Sequence, residues 1–425
     1  IVAKFGLAGL LLSGILGGLV LVAMGLMRLG RLVEFIPHPV TTGFTSGIAT
    51  VIATIQLKDL FGLELASAPQ HLYDRLRAYA RASSTFDPWE LAVGVFTLGL
   101  LVVLRRKLKR VPAPLVALPV VAPIAALLAR FVPGVDITTI ASRFQYDAGG
   151  GQLLPGIPQL PPLPLLPWEQ AGPGGQPFVL TFETVRELVP SAFAVAMLGA
   201  IESLLSAVVA DGMAGTRHDP DAELIGQGIG NVVAPFFGGI PSTGAIARTT
   251  TNVRSGARSP IAAIVHALTV LLAVLVLAPA LGHLPMAALA ALLLMVAWNM
   301  AEVKNFTTII RVAPRADMLV LLLCYGLTVF VDMVVAVSVG IMLAALLFMR
   351  RMAEVTRARL HEGQATGVDG PLPPGVFVYE IAGPLFFGAA QRAMETLGTV
   401  GTLAKVVILR MEQVPVMDAT GLVAL

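Results

Sequence analysis

The sequence predicts an all-α polytopic membrane protein that continues into a short α/β segment at its carboxyl end. Of its 425 residues, 56% are hydrophobic and only 13% are charged, and the mean hydropathy is +0.82. Soluble domains carry about 25% charged residues, so this composition is typical of a membrane protein. The apolar runs are continuous and close to about 20 residues long, as membrane helices require, and they lack the alternation of barrel strands.

Charge and cysteine content narrow the class of function. The net charge is +3, and the basic residues form short clusters between apolar runs, which is typical of cytoplasmic loops and not of a nucleic-acid surface. The one cysteine, Cys324, lies in an apolar run, so the sequence predicts neither a disulfide nor a cysteine metal site. No Ser/His/Asp set and no pair of histidines at metal-binding spacing stands out, and we predict no enzyme activity, metal or cofactor.

The apolar runs predict about eleven spans, one of them a half-helix, in two groups. A polar stretch at 72–79 has apolar residues at helical spacing among arginines, which predicts an interfacial amphipathic helix. The proline- and glycine-rich segment 132–181 is predicted to be a partly extended linker between the two groups. The spans are predicted at 5–27, 40–57, 91–104, 113–131, 189–210, 223–237, the half-helix that follows, 261–281, 286–300, 318–331 and 333–349.

Basic clusters predict the orientation in the membrane. When loops alternate sides, the clusters at Arg28, Arg217, Arg258 and Arg350 fall on the same side as the basic run 105–110, which predicts a cytoplasmic side. The same count places Ile1 outside, so we expect an odd number of spans before it if the true N-terminus lies inside.

After residue 359, strands at 376–381 and 405–411 and a helix at 391–397 predict the beginning of a soluble domain. About 50 residues are too few to hold a core of their own.

One stretch of the second group interrupts the helical pattern. Residues 236–252 read FFGGIPSTGAIARTTTN, with a Gly-Gly break, a proline restart and then an arginine among threonines. Broken backbone in a membrane is tolerated only where it is buried in protein or lines a cavity. A half-helix that begins there directs free N–H groups and its positive dipole end into that cavity. The stretch therefore predicts an anion-binding site.

Two ionisable residues are candidates for the chemistry of this site. We predict Arg248 about a turn and a half into the half-helix, with its guanidinium reaching back towards the gap to bind paired oxygens of an anion. The alternative is a cytoplasmic-side arginine bound to lipid or solvent. Glu202 lies deep in a span, where burial favours the protonated form and a nearby Arg248 opposes it. The alternative for Glu202 is a permanent ion pair.

Weaker candidates lie close to these two. Ser206 is one turn beyond Glu202 and shares its face of the helix. His266 lies in an apolar span and is predicted to pack, or to hydrogen bond between helices, and not to ligate.

Several motifs, in order, resemble the sulfate permease (SulP) family of anion transporters. They are EFIPHPVTTGFTSG at 34–47, AIESLLS at 200–206, DGM at 211–213 leading to Asn231, and the segment from Gly239 to Asn252 with the basic loop 254–260. The end of the chain resembles a STAS domain through GPLFF at 383–387 and MDATG at 417–421.

The resemblance implies two inverted repeats of seven spans, divided into core and gate domains, and a cytoplasmic STAS domain in a homodimer. The chain is then expected to start at the fourth span. Residues 1–352 form the transporter domain, with 1–131 as the rest of the first repeat, 132–181 as an extracellular linker and 182–352 as the second repeat. Residues 353–375 are a linker, and 376–425 are part of STAS.

The resemblance also implies roles for individual residues. Ile246 stands where a threonine sodium ligand is expected, which disfavours sodium and favours a proton, carried by Glu202. Ala247 replaces a serine of the prestin-type site, and Thr420 matches a STAS phosphorylation position although Ala419 breaks the usual Ser-Ser pair. The implied substrate-binding residues are Thr243, Gly244, Ala245, Ile246, Ala247 and Arg248, with Ser206 as a polar neighbour.

The sequence thus predicts a secondary transporter of sulfate, bicarbonate or dicarboxylate, by proton symport and an elevator-like movement, in a bacterial inner membrane. The expected partners are a small anion, a proton, membrane lipid, a second copy of the chain and a regulatory protein bound to STAS, and not nucleic acid. The alternatives are a sodium-coupled or exchanging anion transporter, a nucleobase permease of the same fold, an uncoupled anion channel and a membrane-anchored STAS signalling protein.

Overall fold

The computed structural model divides into two compact units, which are described separately. The first consists of Ile1–Ala313 and Leu321–Val337, and the second of Pro314–Val320 and Ser338–Leu425. The structure describes residues 1–31, 37–65, 69, 71–108, 111–147, 153–331, 333–355, 357–362, 372–385 and 404–424.

Helices make up most of the described chain, and seven helical segments are long and apolar enough to span a membrane. The other predicted spans are also helical, as α8, α9, α13 and α14, and the first three of these have only 14, 9 and 16 residues. The helices are α1 (Val2–Leu26), α2 (His38–Leu60), α3 (Leu72–Arg81), α4 (Pro88–Lys107), α5 (Ala113–Phe131), α6 (Ile140–Arg143), α7 (Phe182–Ala214), α8 (Pro220–Val233), α9 (Ile246–Arg254), α10 (Ile261–Leu281), α11 (Met286–Met300), α12 (Val303–Val312), α13 (Arg315–Phe330), α14 (Met333–Val355) and α15 (Ala419–Ala424).

Glycines allow α1 to pack closely against α7 and α8. A Cβ atom at Gly18 would lie 2.6 Å from the carbonyl oxygen of Gly228 on α8. A Cβ at Gly17 would lie 2.9 Å from the carbonyl oxygen of Ala192 on α7. Small residues let membrane helices approach backbone to backbone, so the glycines of α1 fix the position of α7 and α8, which carry the candidate site.

A second group of helices consists of α2, α4, α5, α11 and part of α13. On α2, a Cβ at Gly43 would lie 2.6 Å from the carbonyl oxygen of Leu321, and Ser46 Oγ donates to the carbonyl oxygen of Ala301 at 2.7 Å. Val93 of α4, Val121 of α5 and residues of α11 form a buried apolar cluster. The sequence did not predict α12, which follows α11 after two residues, the second of which, Glu302, is left-handed.

Residues 132–181, predicted as a partly extended linker, are anchored at several points. Residues 157–166 have no regular secondary structure, but α6 and the hairpin of β1 (Gln145–Asp147) and β2 (Leu153–Pro155) precede them. The buried carboxylate of Glu90 accepts from the Thr138 N–H at 2.6 Å, and Ala171 O accepts from the Ala8 N–H at 3.2 Å. Proline content predicts the extended path but not these tertiary hydrogen bonds.

The amphipathic stretch at 72–79 forms α3, as predicted. Arg75 donates to Thr54 Oγ1 at 3.2 Å, and the Tyr79 hydroxyl donates to the carbonyl oxygen of Thr54 at 3.1 Å. Burial raises the pKa of the Tyr79 phenol, which keeps it a donor to α2.

The second unit holds a sheet in the order β3 (Arg357–Glu362), β4 (Val376–Ala382), β5 (Val406–Gln413). Strands β4 and β5 are parallel and confirm the strands predicted there, whereas β3 pairs antiparallel to β4 within the segment predicted as a linker. The pairing, which local sequence does not reveal, makes 357–362 a strand. The helix predicted at 391–397 lies outside the described residues. Thr420 lies in α15, but its side chain is outside the described part as well.

Candidate functional site

The predicted break in the second group lies between α8 and α9. Helix α8 ends at Val233, a 3₁₀ turn spans Ala234–Phe237, and Gly238 caps it with φ 75°. This left-handed conformation favours glycine. The chain then runs without helical structure to Ala245, and α9 begins at Ile246.

Helix α8 holds the beginning of this extended segment through amide side chains. Asn231 is 1% exposed, and its Nδ2 donates to the carbonyl oxygen of Ser242 at 3.0 Å while its Oδ1 accepts from the Ser242 N–H at 2.9 Å. Gln227 Nε2 also donates to the Ser242 carbonyl. The two amides satisfy backbone groups that a helix would otherwise pair internally.

Helix α7 holds the end of the segment. Ser203 Oγ accepts from the Gly244 N–H at 3.0 Å and donates to Gln227 Oε1 at 3.1 Å. Thr243 Oγ1 donates to the carbonyl oxygen of Gly199 at 3.1 Å. Gly199, Ser203 and Ser206 follow one another at four- and three-residue spacing, so they present one face of α7 to the break.

The first turn of α9 has no side-chain cap. Ala245 is its N-cap residue, and alanine offers no oxygen to the N–H groups that begin the helix. Ser206 Oγ donates to Thr249 Oγ1 at 2.8 Å and thus fixes this turn to α7. The arrangement leaves a positive helix end beside an extended segment, which is suited to binding an anion.

The structure corrects the predicted position of Arg248. Because the hydrogen bonds to Asn231 and Ser203 keep 242–244 extended, α9 starts later than predicted and Arg248 lies in its first turn. The side chain is exposed, and its guanidinium donates to His266 Nε2 on α10 at 2.6 Å. Arginine cannot accept, so the imidazole is the acceptor at this nitrogen. The predicted interhelical role of His266 agrees with this bond.

Glu202 is half-buried on α7, three residues from Gly199 and four from Ser206. Within the described ranges, the structure gives this carboxylate no hydrogen bond or ion pair. The expected neighbour Arg248 instead bonds to His266. A carboxylate without a bound cation in a membrane helix is suited to gaining and losing a proton.

A substitution at Gly244 tests whether the break must pack closely against α7. A Cβ there would lie 3.0 Å from Ser203 Cα and 3.3 Å from Ser206 Cβ, so Gly244→Val is expected to push α9 away from α7. We expect the variant to fold and to lose most anion binding, measured by titration of the purified protein. Gly226→Val is the matched control, because a Cβ at Gly226 would meet no atom within 4 Å apart from the neighbouring backbone of its own helix. Equal binding by both variants would contradict this packing.

Sequence reasoning missed Gln227 and the role of Asn231. After the acidic first turn of α8, both are amides in a glycine-rich and otherwise apolar stretch, and this contrast is the sequence signal that points to them. In the described part of the chain, no three His, Cys, Asp or Glu side chains come together to hold a metal ion.

Comparison with known proteins places this arrangement in a family. The model of the sulfate permease family matches residues 3–324, which include the break and both packed helices. The chain belongs to the sulfate permease family. A STAS domain model matches residues 369–425, as the sequence predicted. The relatives are transporters and not enzymes.

Relatives of this sulfate permease family member include named transporters. A putative sulfate transporter of Bacillus subtilis is 37% identical, over 99% of this chain and 74% of its own length. The bicarbonate transporter BicA of Picosynechococcus is 28% identical, over 96% of this chain and 69% of its own.

Two solved structures have the same fold. The transmembrane domain of a cyanobacterial BicA matches with a TM-score of 0.61 and 29% identity, covering 80% of this chain and 76% of that one. The structure of the murine solute carrier 26 member A9 anion transporter in the inward-facing state matches with a TM-score of 0.79 and 18% identity. The match covers 99% of this chain and 66% of that one. The predicted class, a polytopic helical membrane protein with a STAS segment, is confirmed.

Proposed function

We propose that this protein is a secondary transporter of small anions that binds its substrate at the break before α9. The observation that carries the proposal is the uncapped first turn of α9, held open by hydrogen bonds from α7 and α8. The sulfate and bicarbonate transporters among its relatives support a substrate of this class.

The substrate is bound by backbone and charge. Residues from Thr243 to Ala247 present the extended segment and the helix end, and Arg248 supplies a full positive charge in the same turn. Moving from His266 to a bound anion would exchange a hydrogen bond to an uncharged acceptor for one to a negatively charged acceptor, which is stronger. Binding of this kind recognises charge and oxygen geometry more than molecular shape.

Glu202 is proposed to couple transport to a proton. It shares a face of α7 with Ser206, whose hydroxyl bonds to the first turn of α9, so its charge acts on the segment that holds the anion. Protonation would remove a negative charge as the anion enters, which favours joint binding of anion and proton. The Ile246 side chain offers no oxygen to a sodium ion in this turn.

The remaining predictions belong to the same proposal. The chain is an inner-membrane homodimer with its basic loops and STAS domain in the cytoplasm, and the helices around the break move against the others in an elevator-like cycle. Residues 1–352 form the transporter, 353–375 connect it to STAS at 376–425, and Thr420 is a phosphorylation site there for a regulatory partner.

Uptake of labelled sulfate and bicarbonate into proteoliposomes tests the function. We expect uptake of one of these anions above that of protein-free vesicles, and faster uptake with an inward proton gradient. Uptake without gradient dependence would remove the symport claim. Uptake of labelled uracil with neither anion transported would instead indicate a nucleobase permease.

A further inference from the structure

A second, separate feature of the first unit is a groove between α2, α4 and α11. Its volume is about 970 Å³. Its walls include Leu57 from α2, Leu98 and Val102 from α4, and Leu294 and Met295 from α11. None of these helices carries the proposed substrate site, so the inference that follows does not depend on the proposed function.

The walls of the groove are apolar apart from two threonine hydroxyl groups, which are bonded within their own helix. Its hydroxyl groups, on Thr50 and Thr54, donate to the carbonyl oxygens of Ser46 and Val51 in their own helix, at 3.0 and 2.8 Å. Side chains bonded in this way leave no strong donor for a polar ligand along the wall. The groove therefore suits a hydrocarbon chain.

One end of the groove is cationic. Arg105 and Arg106 lie at the C-terminal end of α4, and Arg105 donates to Asn299 Oδ1 at 2.9 Å. Arg106 is exposed and has no hydrogen bond or ion pair within the described residues. Trp298, 71% exposed, lies at the same end. Tryptophan is enriched at the headgroup level of membranes.

Glu302 and Lys304 are charged residues beside this end, and within the described residues Glu302 forms no ion pair with Arg105 or Arg106. Glu302 accepts from Asn305 Nδ2 at 2.9 Å, and Lys304 lies two residues further along the chain. Basic residues at a helix C-terminus also stabilise the helix dipole. That effect accounts for the arginines but not for an apolar groove with tryptophan at its end.

We propose that this groove binds an acidic phospholipid, with an acyl chain along α2, α4 and α11 and the phosphate between Arg105 and Arg106. Basic pockets between membrane helices are suited to such headgroups. A small free anion would leave the apolar walls unused. A zwitterionic lipid would gain less from two arginines, because its own positive charge opposes them.

Quenching of Trp298 fluorescence by brominated lipids tests the proposal. Trp89→Phe and Trp168→Phe leave Trp298 as the one tryptophan of the full chain, which has three. The protein is reconstituted in phosphatidylcholine vesicles that contain brominated phosphatidylglycerol or brominated phosphatidylcholine. We expect stronger quenching by the brominated phosphatidylglycerol.

Variants distinguish a site from bulk lipid. Arg105→Gln with Arg106→Gln should reduce the preference for phosphatidylglycerol by up to roughly thirtyfold, since each basic residue at an anionic surface contributes about fivefold. Arg217→Gln with Arg258→Gln removes the same charge from exposed positions outside the groove and should leave the preference intact. Ala53→Phe fills the groove and should reduce quenching by both lipids.

Mass spectrometry of lipids that remain bound to the purified, unsubstituted protein provides a second measurement that requires no variant. Enrichment of phosphatidylglycerol over phosphatidylcholine supports the proposal. Equal quenching by both lipids in the parent and in both double variants would overturn it in favour of an unselective lipid layer. Trp298 shielded from both lipids and crosslinked to a second chain would also overturn it, because another copy would then fill the groove.

Discussion

Glu202→Gln is expected to abolish the dependence of anion uptake on an inward proton gradient. The exchange of internal for external anion across the membrane of preloaded vesicles should remain intact. Glutamine has nearly the shape of a protonated glutamate but cannot release a proton. If Glu202 carries the coupled proton, the variant behaves as a permanently protonated carrier. It should therefore move the anion in both directions at equal rates and accumulate none.

Uptake and exchange of labelled sulfate and bicarbonate in proteoliposomes measure this effect. Glu187→Gln is the matched control on the same helix, because Glu187 lies near the start of α7 in an exposed ion pair with Lys4 at 3.2 Å. Such a pair contributes little, so the control should keep full gradient dependence. Gradient-driven accumulation by Glu202→Gln would show that the proton travels by another route.

Arg248→Gln is expected to weaken anion binding by roughly tenfold to a hundredfold. A hydrogen bond to a charged group contributes about 1.5–3 kcal/mol, and the variant loses both the charge and the paired donors. The backbone N–H groups of α9 remain, so binding should be weakened and not lost. Half-saturating concentrations of sulfate and bicarbonate in the uptake assay provide the measurement.

Arg258→Gln is the control for this substitution. Arg258 is an exposed arginine in the loop after α9, so its loss changes the net charge equally without touching the break. If the half-saturating anion concentration were unchanged in Arg248→Gln but altered in Arg258→Gln, the positive charge that binds the anion would lie in the loop and not in α9.

The sequence predicts the break because its cause is local. A Gly-Gly pair followed closely by a proline makes a helix unfavourable at this point, and Gly238 adopts the left-handed conformation that glycine favours. The start of α9 was misplaced because residues 242–244 are kept extended by side chains of α7 and α8 that are distant in sequence. The bond between Arg248 and His266 is equally non-local, since it joins two helices across a loop.

Contacts between residues distant in sequence also explain why the sequence does not predict β3 or the anchoring of residues 132–181. Strands β4 and β5 are visible as apolar runs, whereas β3 is polar and becomes a strand only through pairing with β4. The anchoring of 132–181 by Glu90 also depends on a tertiary contact. Hydrophobic periodicity and helix-breaking residues can be recognised from neighbouring residues in the sequence. The partners of buried polar groups cannot, because they come from distant parts of the chain.

The central claim, that an anion binds at the start of α9, is tested most directly by protection of a thiol placed there. Cys324→Ala removes the one native cysteine, and Ala245→Cys then introduces a half-exposed thiol at the N-cap. We predict that sulfate or bicarbonate slows modification of this thiol by a charged methanethiosulfonate reagent, but does not slow modification of a thiol introduced at Gly226. The account would be contradicted if the reagent modified the thiol at position 245 at the same rate with and without anion. The anions to be tested are sulfate, bicarbonate, oxalate, nitrate and chloride.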